Sequence, residues 1–179
     1  KLLHPFMSLD SLLAQLSSQS SMPPVEQWDP DYCGEIDLII KKDGTWFYQG
    51  TPFKRMNMVK LFASVIKKEE QDYFLVTPIE KIKISVEHYP FVINQWQWRD
   101  ENQNDMVLST NLGDTFLLDA EHPLTIDNDD NLIVTVRRNL HAIVHRNVYY
   151  QWIEEAKTSQ DKTSLVIHSN GQSFVLGQL

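Results

Sequence analysis

The sequence predicts an α+β protein made of two related halves. Three observations predict it. Strand-like alternation fills most of the chain, amphipathic segments at helical spacing interrupt it, and two hairpins far apart in the chain share matching residues. With 179 residues the chain suits one large domain or two small ones. A chain of that size buries roughly two thirds of its unfolded surface and needs no staple to fold. At 42% hydrophobic and 22% charged, its composition is that of an ordinary globular protein.

Taken in order, Ser8 is placed to cap a short helix whose Leu9, Leu12, Leu13 and Leu16 recur at i, i+3, i+4 and i+7. A serine-rich run ending in Met22-Pro23-Pro24 follows as a linker, so residues 1–30 form an N-terminal helical arm. Four leucines on one stripe are costly to leave in water, and the arm is expected to dock on the body. Residues 36–41 and 45–49 then pair as a hairpin about Lys42-Asp43-Gly44, where Asp-Gly suits a tight type I′ turn. Gly50-Thr51-Pro52 closes it. Met56, Val59, Phe62, Ala63 and Ile66 mark an amphipathic helix running into Lys67-Lys68, cations that suit a helix C-terminus.

Strands are expected at 73–77, 81–87, 91–99, 106–110, 115–118 and 132–136. Asn139 starts a second long helix, with Leu140, Ile143, Val144, Val148, Trp152, Ile153 and Ala156 inward. The second hairpin, 165–176, turns at Asn170-Gly171. Laying Asp43-Gly44 on Asn170-Gly171 matches Leu38 with Leu165, Ile40 with Ile167, Phe47 with Phe174 and Gly50 with Gly177, which fits duplication or simply the alternation and turn glycine that any two hairpins share. The expected division is an arm at 1–30, a first α+β domain at 31–79 and a second at 80–179.

Charge narrows the partners. Net charge is −8, and residues 100–136 carry nine carboxylates without a lysine or arginine. Such a stretch repels a polyanion, so nucleic acid is a poor partner. Cys33 is the only cysteine, which rules out an intramolecular disulfide and favours a reducing compartment, the cytoplasm. No apolar run approaches the ~18 residues of a membrane span. The start, Lys1-Leu2-Leu3-His4-Pro5-Phe6, breaks at a proline and does not read as a signal peptide.

Familiar catalytic signatures (GxGxxG, the Walker loop, GxSxG and HExxH) are absent, and no catalytic residue is assigned. Asp127-Asn128-Asp129-Asp130-Asn131 imitates the start of a calcium loop. Leu132 then stands where that loop needs glycine and Arg138 where it needs glutamate, so the segment reads as a hairpin turn. His141 and His145, one helical turn apart, could join Asp119, Glu121 and His122 around a metal, and a metal-dependent enzyme is one alternative. Trp96 and Trp98 share a strand face that reads as core. Arg137, Arg138 and Asn139 at the start of the second helix, with Arg146 two turns along, suit a phosphate or carboxylate. The competing reading pairs these arginines with the acidic stretch before them.

Several stretches resemble a known family: residues 39–52 around Lys41-Lys42-Asp43-Gly44-Thr45-Trp46, then 61–65, 73–81, 110–114, Asp119-Ala120-Glu121-His122-Pro123-Leu124, and 140–150. Together they resemble the bacterial domain-of-unknown-function family 1285, from about Ile36 to Leu176. The resemblance implies two duplicated domains of antiparallel sheet plus helix, the second similar to a pleckstrin-homology-like barrel with a helix. It also implies a sensing or signalling role through a nucleotide-like ligand held where the domains meet. It carries no established reaction, and it leaves any cofactor unknown. Its motif positions that present polar groups are Glu80, Lys81, Asn111, Asp114, Asp119, Glu121, His122 and Arg146; some members have proline where this chain has Asn147.

The expectation is therefore a small-molecule-binding protein with an anionic, nucleotide-like ligand at the domain junction. Lys81, Arg137, Arg138 and Arg146 would supply cations, and Asp119, Glu121 and His122 would orient the ligand. A protein-interaction module, using the leucine helix or a strand edge, is the other alternative.

Overall fold

The computed structural model describes residues 9–16 and 22–179; the opening residues, the Ser8 cap and the serine run at 17–21 lie outside the described residues. The chain divides into two compact units, Lys1–His88 and Tyr89–Leu179.

Unit 1 begins with α1 (Leu9–Leu16), which buries Leu9, Leu12 and Leu16 and half-buries Leu13. Its leucine stripe is satisfied beside α2 (Met56–Ala63), whose own buried face is Val59, Phe62 and Ala63. The strands are β1 (Tyr32–Ile40), β2 (Trp46–Tyr48), β3 (Thr51–Pro52), β4 (Ile66–Glu69), β5 (Asp72–Val76) and β6 (Lys81–Val86). They form one sheet in the order β3-β2-β1-β6-β5-β4. Neighbours are antiparallel except β1 and β6, which run parallel with Ile39 beside Ser85 and Ile40 beside Val86. Leu38, Ile40, Ile82 and Ile84 alternate into the core from this central pair.

Two expectations are corrected here. The helix ends at Ala63, not at Lys67-Lys68. Ile66 is fully buried and pairs with Leu75, and the tight turn at Glu70 (φ +55°) folds the lysines onto a strand. The division between units falls after His88 rather than at residue 79. Residues 77–80 are a closed turn, with Thr77 N–H donating to Glu80 C=O at 2.8 Å and Glu80 N–H donating to Thr77 Oγ1 at 2.9 Å. That turn returns the chain to its own sheet, so β6 belongs to unit 1.

Unit 2 contains β7 (Phe91–Trp98), β8 (Met106–Thr110), β9 (Thr115–Leu117), β10 (Leu124–Ile126), β11 (Leu132–Arg137) and β12 (Leu140–Val144). These are followed by α3 (Arg146–Glu155), β13 (Lys157–Thr158), β14 (Ser164–Ser169) and β15 (Gln172–Gln178). Its larger sheet runs β10-β11-β12-β7-β8-β9, and β13, β14 and β15 form a second. Again one pair is parallel: β12 beside β7, with Ala142 matching Phe91 and Val144 matching Ile93. Counted from its own first strand, each six-stranded sheet has the order 3-2-1-6-5-4, with first and last strands parallel at the centre. The sheets are therefore not purely antiparallel, and the likeness of the halves lies in this order.

The matched hairpins do not carry it. The first belongs to the six-stranded sheet of unit 1 and the second to the three-stranded sheet of unit 2. Asn170 and Gly171 both have positive φ (+54° and +75°), the type I′ requirement, whereas at the first turn Gly44 alone does (+89°). The registers differ accordingly: Ile39 faces Phe47, but Val166 faces Val175.

Leu140–Val144 is a strand, not the start of a helix. Leu140, Ala142 and Val144 are buried at every second position, and α3 starts only at Arg146. Helical spacing fitted because an alternating run leads directly into a genuine helix. Among the described residues, no helix is long and apolar enough to cross a membrane.

Candidate functional site

In unit 1 the two expected site residues serve the fold. Glu80 is buried, and its carboxylate accepts a hydrogen bond from Gln15 Nε2 of α1. Lys81 Nζ lies 2.8 Å from Glu69 Oε1 and 4.9 Å from the Phe74 ring centroid. The hydrogen bond from Lys81 holds the Glu69 carboxyl below its usual range.

In unit 2 the structure brings Asn111, Asp114 and Arg137 together. Residues 110–114 fold across the start of β7: Asn111 N–H donates to Val92 C=O at 2.9 Å, and Val92 N–H donates to Asn111 Oδ1 at 3.0 Å. Thr110 Oγ1 donates to Asp114 Oδ2 at 3.0 Å, and Arg137 Nη1 donates to Asp114 Oδ1 at 2.9 Å while its guanidinium lies 4.9 Å from the Phe91 centroid. This is a turn clamped by an ion pair. Arg138, exposed at φ +52°, sits in the tight β11–β12 turn. The expected helix-start anion site at Arg137-Arg138-Asn139 is therefore absent.

Asp119, Glu121 and His122 form a second group, after β9. Asp119 Oδ1 accepts from the N–H groups of Glu121 (3.0 Å) and His122 (2.9 Å) and lies 3.2 Å from His122 Nδ1. The His122 ring stacks on Phe116 at 4.6 Å, and Glu121 is exposed. His141 lies on β12 against Tyr89, and His145 is the N-cap of α3, its Nδ1 accepting from Asn147 N–H at 3.0 Å. The two histidines do not share a helix face. Among the described residues, no three His, Cys, Asp or Glu side chains gather as a metal site. Trp96 and Trp98 are half-buried, edge-on to each other, and Trp96 is also edge-on to the fully buried Trp152.

Arg146 stands apart from the other nine expected site residues. It lines a groove of about 410 Å3 whose apolar lining is Leu132, Ile143, Val144 and Leu176. Tyr149 and Tyr150 from the N-terminal half of α3 line it too, with Asp130 and Asn131 from the β10–β11 turn. That turn is fixed by Asp127, which accepts from Tyr89 Oη at 2.6 Å and from the N–H groups of Asp129 and Asn131, each at 2.9 Å. Burial pushes the Asp127 carboxyl up, but Tyr89, Asn131 and Asp129 together outweigh it and hold the pKa at about 2. The sequence singles out Arg146 as a candidate cation, but not the tyrosines or the aliphatic lining that share its groove. The adjacent Tyr149-Tyr150 pair, one ring exposed and one half-buried, was the available signal.

Fold and groove define a class: a two-unit, mostly-sheet protein whose halves repeat one six-stranded order, with a ligand-sized groove beside the helix of the second. The chain belongs to the DUF1285 family. Its residues 23–89 match "Domain of unknown function (DUF1285), N-terminal domain" and residues 90–176 match "Protein of unknown function (DUF1285), C-terminal domain". It is similar to the crystal structure of a DUF1285 family protein from Silicibacter pomeroyi DSS-3, at 31% identity and TM-score 0.86 over 96% of each chain. It is also similar to one from Shewanella baltica OS155, at 28% identity and TM-score 0.56 over 66% of this chain and 91% of that one. No curated protein matches it.

Proposed function

We propose that the chain is a small-molecule-binding protein of sensor type, taking a nucleotide-like anion in the groove at the start of α3. One observation carries this reading. A volume of about 410 Å3 is shared by an aliphatic surface, two tyrosines and one guanidinium, the mix that small-ligand pockets use. Arg146 offers a planar fork of donors for phosphate or carboxylate, and the first turn of α3 adds a favourable field. The tyrosine rings suit a flat heterocycle. Asp130 and Asn131 suit its amine or hydroxyl groups. Binding is favoured over turnover because Asp114, Asp119 and Arg137 direct their polar atoms to the protein's own turns.

In this reading unit 2 is a pleckstrin-homology-like barrel: a six-stranded sheet, a second small sheet and one helix supply its parts. A cytoplasmic location fits the lone Cys33.

Thermal unfolding with adenine and guanine nucleoside mono- and triphosphates at millimolar concentration tests the reading. At a hundredfold excess over Kd, a specific ligand stabilises by about 2.7 kcal/mol. The expected result is a raised melting temperature in the wild type, lost in Arg146→Ala and kept in Arg138→Ala, whose side chain does not line the groove. No shift with any nucleotide, in melting or in the NMR signals of Tyr149 and Tyr150, sinks the reading.

A further inference from the structure

We propose that unit 2 carries a second ligand site, independent of the Arg146 groove, that takes a free α-amino acid by both of its charges. The site is a cavity of about 290 Å3 where the β7–β8 turn and the C-terminal end of α3 meet β13 and β14. Its apolar lining is Trp98, half-buried, and Ile167, buried. Glu155 from the last turn of α3 and Lys157 from β13 bring opposite charges to the same space, and Asn102 and Asn104 line it as well.

The two charges answer no other group. Glu155 and Lys157 line one cavity without pairing with each other, and among the described residues neither side chain makes an ion pair or hydrogen bond elsewhere. Glu155 also stands at the unfavourable end of its helix. A carboxylate in the last turn adds to the negative end of the helix dipole, where a cation is favoured. That turn of α3 has no basic residue, and Glu154 adds a second carboxylate to it. Such a local conflict is expected where a ligand supplies the missing cation. The walls are tied together without a ligand. Asp105 pairs with Arg99 and accepts from Asn170 Nδ2 at 3.2 Å, while Asn170 N–H donates to Asn104 C=O at 2.8 Å. Met106 N–H donates to Ser169 Oγ at 2.9 Å, which fastens the β7–β8 turn to the β14–β15 hairpin.

Size and charge select the ligand. A cavity of about 290 Å3 lies at the small end of ligand pockets, which suits one amino acid rather than a nucleotide or a peptide. An ammonium beside Glu155 also meets the carbonyl end of α3, and a carboxylate beside Lys157 matches the second charge. The asparagine amides add donors for that carboxylate. Trp98 and Ile167 accept an apolar side chain. A simple cation or a simple anion would leave one of the two protein charges unanswered, whereas a zwitterion meets both.

NMR titration of the full chain with the standard amino acids, in pools at millimolar concentration, reads the site through the Trp98 indole and the Asn102 and Asn104 side-chain amides. The expected result is a saturable shift with at least one free amino acid. Its N-acetyl derivative and its methyl ester each lack one charge and should bind about tenfold more weakly or worse. Glu155→Gln should remove the advantage of the free amino acid over the N-acetyl derivative, and Lys157→Gln its advantage over the ester. Both residues are exposed, so the variants keep the fold. Arg146→Ala should leave the response unchanged, because Arg146 lines the other groove. No shift with any pool overturns the proposal. So does a ligand whose two derivatives bind as well as it does, or binding indifferent to both glutamine variants.

Discussion

The two six-stranded sheets share one order and one central parallel pair, yet they differ where the order leaves room. Between its third and fourth strands unit 1 places α2, with Phe62 fully buried. Unit 2 places a short loop there, tied by the Asp119 carboxylate. After the sixth strand, unit 1 ends at the boundary between the units, whereas unit 2 continues into α3 and a second sheet. The ladder is the shared framework. The groove that could hold a ligand comes from what was added to it, since Tyr149, Tyr150 and Leu176 all follow the sixth strand.

The largest expected effect tests that contrast directly. Phe62→Ala removes a fully buried ring and should cost about 3–5 kcal/mol, read as a lowered denaturant midpoint and faster amide exchange across β1, β5 and β6. Asp119→Ala, at the corresponding place in unit 2, removes two bonds to backbone N–H groups on a part-exposed loop and should cost about 1–2 kcal/mol. Equal costs would mean that loop and helix do the same structural work.

A smaller effect separates two residues in equivalent places. Glu87 N–H donates to Ile40 C=O and His145 N–H to Ile93 C=O, each at 2.9 Å, so both directly follow the sixth strand of their sheet. Glu87 turns back and accepts from Lys42 N–H at 3.0 Å, whereas His145 faces forward and caps α3. His145→Ala should cost about 1 kcal/mol, and His145→Asn should restore most of it, asparagine being a strong N-cap. Loss of α3 amide protection in the alanine variant alone is the signature. If asparagine fails as badly as alanine, the cap is not what holds the start of α3.

How much of this was legible follows the physics of each signal. The α1 stripe, the strands over Asp72–Val76 and Met106–Thr110, and the Asp127–Asn131 turn were readable because periodicity and side-chain-to-backbone bonds act within a few residues. β12 was misread because Leu140, Val144 and Val148 satisfy both periods until His145 ends the strand. The parallel pairings were invisible because they join the first and last strands of each sheet, some 50 residues apart, and leave no local pattern. Asn111, Asp114 and Arg137 are expected from the sequence to bind ligand, whereas their polar atoms engage the start of β7, Thr110 and one another. Sequence cannot distinguish a carboxylate awaiting a ligand from one already holding a turn.

The smallest effect contrasts the turns between the fourth and fifth strands. In unit 1 the Glu69 carboxylate is held low chiefly by its hydrogen bond from the Lys81 ammonium, an ion pair that salt screens. In unit 2 Asp127 is held at about 2 by neutral donors, the Tyr89 hydroxyl and the groups of Asn131 and Asp129. A carboxyl whose folded pKa is depressed adds stability above its unfolded value near 4 and loses it as pH falls towards the folded value. Asp127 should therefore contribute about 1 kcal/mol at neutral pH, discounted for partial exposure, and surrender it between about pH 4 and pH 2. Asp127→Asn should flatten that part of the pH profile, and the difference from wild type should persist in about 1 M salt. Glu69→Gln should differ from wild type at low salt and converge on it at high salt. A salt-sensitive Asp127 effect would mean that charge pairing, not the turn's own N–H groups, fixes the rim of the groove.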